Sequence, residues 1–117
     1  MKKLLILAAL AALCTPAVRA QDASAAPQRV IFDTDMGNDV DDPLALDMLY
    51  KAVDRGEIIL LGILSSKDTE FSPRYIDMMN TWYGYPEIPV GRVRDGVVLK
   101  RDDYARAVCE SGLFPRS

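Results

Sequence analysis

Apolar and polar positions fall into short blocks whose period changes along the chain. After Met1-Lys2-Lys3 comes an uncharged apolar run, Leu4 to Leu13, followed by Val18-Arg19-Ala20. A basic start, a short hydrophobic stretch and a small-residue site predict a secretory signal peptide over 1–20, cut after Ala20. The run is too short to span a bilayer, which takes about 20 residues. Residues 21–28 are polar and Ala-rich, with Pro27, and read as a linker. Arg29 to Phe32 then form a β-type run that ends at an acidic stretch. Asp42-Pro43 predicts a helix start, with Asp at the N-cap and Pro at the first helical position. Leu44, Leu46, Met48, Leu49 and Val53 follow at helical spacing, and Gly56 stands where a stop belongs.

The continuous apolar run from Ile58 to Leu64 predicts a strand buried on both faces, as in parallel sheets. Ser72-Pro73 predicts a second helix with Tyr75, Ile76, Met79, Trp82 and Tyr83 inward, ending near Gly84. Ile88 to Gly91 reads as a third strand and Val97 to Leu99 as a fourth. Asp102 to Ser111 reads as a helix with Tyr104, Ala107 and Val108 inward. Strands alternating with helices predict an α/β, Rossmann-like, mainly parallel sheet with helices on both faces. The mature part of 97 residues (21–117) suffices for one small domain but is marginal for a sheet covered by helices on both faces. An incomplete parallel sheet would leave an unpaired edge and an uncovered apolar face.

Charge narrows the function classes. Removing Lys2, Lys3 and Arg19 with the leader reduces 14 basic residues to 11, against 17 acidic ones. An acidic domain offers no electrostatic reason to bind nucleic acid or an anionic membrane. Of the two cysteines, Cys14 goes with the leader and only Cys109 remains, which leaves no internal disulfide and no Cys-based metal site. These residues contain no histidine, so Ser-His-Asp and Cys-His chemistry are excluded within them. The predicted location is exported, either periplasmic or extracellular, and a homo-oligomer stays open.

The acidic stretch is the candidate chemistry. Asp33-Thr-Asp-Met-Gly-Asn-Asp-Val-Asp-Asp42 carries five carboxylates in ten residues, directly after a buried-looking strand. Like charges this dense call for solvent, raised pKa values or a cation. Asp33 and Asp35 are two apart and project to one side of an extended segment. Gly37 permits a turn, and Asp41 and Asp42 return at a helix start, where the macrodipole favours negative charge. Two carboxylate groups converging in this way suit one hard, oxygen-ligated cation.

The stretch from Asp33 to Leu46 resembles the N-terminal fingerprint of the inosine-uridine preferring nucleoside hydrolase family, Asp-x-Asp-Pro-Gly-x-Asp-Asp-Ala after a hydrophobic strand. The resemblance covers Arg29 to Gly91. It implies hydrolysis of the N-glycosidic bond of ribonucleosides, a step of purine and pyrimidine salvage, with a tightly bound calcium ion. By resemblance Asp35 is a metal ligand and the general base, Asp42 the second ligand, and Asp33 a supporting or ligand position. Asp41 would grip a ribose hydroxyl, with Asp39 in competition for that role. The chain departs from the pattern at Met36, at Pro43 and in two extra residues between Gly37 and the paired acids. It also has Ser65-Ser66-Lys67-Asp68 where the family has an Asn after the second strand. Family enzymes are longer, so the chain reads as an N-terminal portion.

Two other classes stay open. The haloacid dehalogenase superfamily also opens with a strand and Asp-x-Asp, and would make Asp33 a nucleophile, Asp35 the acid/base and Ser65 a phosphate contact, with Mg²⁺. The third is a secreted calcium-binding module without turnover.

Overall fold

The structure is a computed structural model describing residues 26–95 and 103–114. The expected leader, most of the linker and the strand expected at 97–99 lie outside the described residues. Six elements follow in order: β1 (Gln28–Thr34), α1 (Asp41–Asp54), β2 (Ile58–Ser65), α2 (Phe71–Tyr83), β3 (Val90–Arg92) and α3 (Asp103–Ser111). The strands form one open parallel sheet in the order β1-β2-β3. This is the Rossmann-like α/β architecture that the alternation predicts, in incomplete form.

Local sequence explains the element ends. Gly56, at φ +69°, ends α1. Its N–H donates to the Val53 carbonyl (2.9 Å), and the Glu57 N–H reaches back to Ala52 (3.0 Å), closing the two orphan carbonyls. The start of α1 differs from the expectation. The helix opens at Asp41, with Val40 in the cap position and no side-chain cap. Asp42 is therefore a second-position residue whose carboxylate is not spent on capping.

Tyr50 of α1 stacks on Tyr83 of α2, with ring centroids 4.4 Å apart, and both helices bury against Leu60 and Ile63. The two crossover helices therefore share one face of the sheet. The inward stripe of α1 is Leu46, Leu49, Tyr50 and Val53. Leu44 and Met48, expected inside, are 61 % and 70 % exposed, because those two positions, one turn apart, lie on the outer side of the helix. Trp82 is likewise exposed and meets Phe114 edge-on (5.9 Å). In α3, Ala105 is buried where Ala107 was expected to be.

The central strand departs most from its prediction. Val30 pairs with Leu60 but Ile31 pairs with Gly62, so Leu61 is an extra residue in a bulge. Beyond it the side-chain alternation changes phase, and Ile63 and Ser65 face the helices. Ile59, Leu61 and Leu64, with Ile31 of β1, form an exposed apolar row on the opposite face. β2 is thus covered on one face among the described residues, not on both. In the same residues no helix is long and apolar enough to cross a membrane.

One buried polar link ties the layers together. The Tyr50 hydroxyl donates to Asn80 Oδ1 (2.6 Å), and Asn80 Nδ2 donates to the Ile88 carbonyl (3.0 Å), joining α1, α2 and the approach to β3. Asn80 has no solvent exposure. Asn80→Ala leaves a hydroxyl and a carbonyl unpaired in the core, and should cost about 1–3 kcal/mol in urea unfolding. An unchanged midpoint would show that the link contributes nothing.

Candidate functional site

In open parallel sheets the carboxyl ends of the strands face the ligand-binding crevice. An open cleft of about 400 Å³ lies there, lined by Asp33, Thr34, Asp35, Asp42 and Ser66. Strand pairing sets its floor. Ser66, just past β2, donates both its N–H (2.9 Å) and its hydroxyl (3.1 Å) to the Thr34 carbonyl. The ends of β1 and β2 are thereby locked side by side under the acidic loop.

The loop itself is fixed at successive residues. The Thr34 hydroxyl accepts the Met36 N–H (3.1 Å), and the Met36 side chain is fully buried in the core. Gly37 has φ +143°, a conformation that side-chain-bearing residues rarely adopt. Its N–H donates to the Tyr104 hydroxyl (2.9 Å), and its carbonyl accepts the Tyr104 N–H (3.2 Å). Lys67 is fully buried and its Nζ donates to Asn38 Oδ1 (2.8 Å). Burial pushes the Tyr104 hydroxyl well above the usual tyrosine range, partly offset by its bond to Gly37.

This scaffold brings Asp35 and Asp42 together. The Asp42 carboxyl is raised from its ordinary value chiefly by burial. The Thr34 hydroxyl pulls it back down, while the negative charges of Asp35 and Asp41 and a hydrogen bond with Asp35 push it up. Asp33 and Asp35 line the same cleft, as their two-residue spacing predicts. Asp39 and Asp41 are exposed and do not line it, although the charge of Asp41 bears on Asp42. Ser65, which the phosphohydrolase reading needs as a phosphate contact, is fully buried. Its hydroxyl is shared with Ser72 Oγ (2.8 Å).

A hard cation fits this donor set in kind: carboxylates of Asp33, Asp35 and Asp42 beside the Thr34 and Ser66 hydroxyls, with one acid held above its usual value by burial first and by its acidic neighbours second. Among the described residues no group of three acidic side chains is gathered into a metal shell, so the convergent pair is Asp35 with Asp42. Sequence reasoning placed Tyr104 only as an inward helix residue and did not single out Lys67. A lysine at the exit of an apolar strand was the available signal for Lys67. Nothing local marks Tyr104.

No family model, no curated protein and no solved structure matches the chain.

The raised Asp42 carboxyl has a defined sign for stability. The unfolded chain releases this proton at lower pH than the folded one does. Its contribution is therefore fully present below the ordinary value of 3.8 and is lost as pH rises through the higher folded value. Without added divalent ions, Asp42→Asn should raise the melting temperature at pH 7 and give little gain near pH 3. A variant less stable at pH 7 would show that the Asp42 charge is compensated.

Proposed function

We propose that the chain carries the calcium-dependent water-activating site of a nucleoside N-ribohydrolase, acting on purine or pyrimidine ribonucleosides or a similar ribosyl substrate. The observation that carries this reading is the pairing of Asp35 with Asp42 in an open cleft at the carboxyl ends of β1 and β2. The resemblance of Asp33 to Leu46 to the nucleoside hydrolase fingerprint supplies the substrate class. A calcium ion bound there would lower the pKa of a coordinated water and hold the sugar hydroxyls.

The chain's own residues take the remaining roles. Asp35 and Asp42 would hold the ion, with Asp33 in support. Asp35 would also take the proton as the water oxygen bonds to the anomeric carbon and the bond to the base breaks, its electron pair leaving with the base, which is protonated from solvent. The transition state is oxocarbenium-like, as in glycoside hydrolysis generally. The Thr34 hydroxyl, bonded to both Met36 and Asp42, keeps one carboxylate turned toward the cleft. Asp41, or Asp39, would meet a ribose hydroxyl as the substrate enters. The basic, then apolar start of the sequence supports export and action outside the cytoplasm.

The phosphohydrolase reading has less support, because Ser65 is sealed under α2 by Ser72. Incubation of the full-length protein with ribonucleosides and, in parallel, with a phosphomonoester separates the classes. Free base and ribose are expected. Release of inorganic phosphate would favour the phosphohydrolase, and calcium-dependent stabilisation without turnover the binding module. Asp35→Ala should lower base release by about 10²–10⁴-fold and abolish calcium retention together. Undiminished turnover in that variant removes the assignment.

A further inference from the structure

The residues between the two converging carboxylates are held by groups from elsewhere in the chain. Gly37 is bonded at both its N–H and its carbonyl by Tyr104 of α3, 67 residues away. The next residue, Asn38, accepts a hydrogen bond from the buried ammonium of Lys67, which follows β2. Neither anchor lines the cleft. The Tyr104 ring is itself fixed edge-on against Tyr75 of α2 (5.2 Å). The loop is also two residues longer between Gly37 and the paired acids than the fingerprint it resembles. Added length is added freedom, and a freer loop lets Asp35 and Asp42 swing apart under their own repulsion.

From this geometry we infer that Tyr104 and Lys67 are positioning residues. By pinning Gly37 and Asn38, they hold Asp35 and Asp42 at the separation that binds a divalent cation. The inference rests on the proposed calcium site. It assigns α3 a task that neither the fingerprint nor the strand ends supply, because the cleft walls alone do not fix the middle of the loop. Groups that orient metal ligands without touching the metal typically change its affinity by about 10–100-fold when removed.

The test uses the whole chain stripped of divalent ions, with two readouts that need no turnover: calcium titration by calorimetry and amide exchange at Gly37. Tyr104→Phe keeps the ring against Tyr75 and removes only the hydroxyl. It should speed Gly37 exchange and weaken calcium binding about tenfold. Lys67→Met keeps the buried stem, removes the ammonium and should weaken binding to a similar degree. Tyr50→Phe, which removes a buried hydrogen bond of the distant α1–α2 contact, is the control for general destabilisation and should leave calcium affinity unchanged.

Unaltered affinity in Tyr104→Phe, or an equal loss in Tyr50→Phe, overturns the role of Tyr104. Unaltered or tighter binding in Lys67→Met overturns that of Lys67, since its ammonium would then contribute nothing to the site or act only as a repelling charge. If the unaltered chain takes up no calcium, the functional reading fails and this inference fails with it. Uptake by the unaltered chain together with an unaffected Tyr104→Phe refutes the inference alone.

Discussion

Two negative side chains held against each other are the constraint around which this molecule is arranged. Unit charges about 4 Å apart repel by about 1 kcal/mol in bulk water and about 4 kcal/mol at the effective dielectric of a protein surface. Asp42 is partly buried, and its carboxyl is raised first by that burial and then by the charges of Asp35 and Asp41. The opposing hydrogen bonds, from Thr34, Tyr104 and Lys67, each contribute roughly 0.5–1.5 kcal/mol, more where a charge takes part. They oppose the repulsion by fixing the loop backbone between the two carboxylates.

This anchoring depends on the fold beneath it. Parallel pairing brings Thr34 and Ser65 into register, so the two strand ends emerge together and Ser66 can close on Thr34. The bulge at Leu61 matters here. Without the phase change, Ser65 would face away from the helices, and its bond to Ser72 at the start of α2 would be lost. The same phase change turns Leu64 to the face opposite the helices, where Ile59 and Leu61 already lie.

Much of this was legible in the sequence. Strand-helix alternation, Gly56 as a stop and the acidic turn after β1 all rest on local patterns, and local patterns fix elements and their order. What was not legible depends on which way an element is rotated. Leu44 and Met48 have helical spacing, yet the stripe built on Leu46 and Tyr50 won, because Tyr50 brings a stacking surface for Tyr83 and a hydroxyl for Asn80. The apolar run of β2 signalled burial on two faces, and periodicity cannot tell which face the described helices take. Asp42 read as a cap because Asp-Pro usually starts a helix, but with the helix opening at Asp41 its carboxylate is left for Thr34 and Asp35.

Long-range anchoring was beyond the reach of any local pattern. Tyr104 and Gly37 meet only because α2 carries α3 back across the top of the loop, with Cys109 against the Phe71 carbonyl and Tyr104 against Tyr75. This has a consequence for how such a site is built. A short acidic turn can be tied down by its own backbone, whereas a longer one needs partners from outside, and those partners come from whichever elements the topology stacks above the strand ends. Here these are α3 and the exit of β2. The carboxylates are read from ten consecutive residues, but the loop between them is anchored by residues 29 and 67 positions further along the chain than the ones they hold.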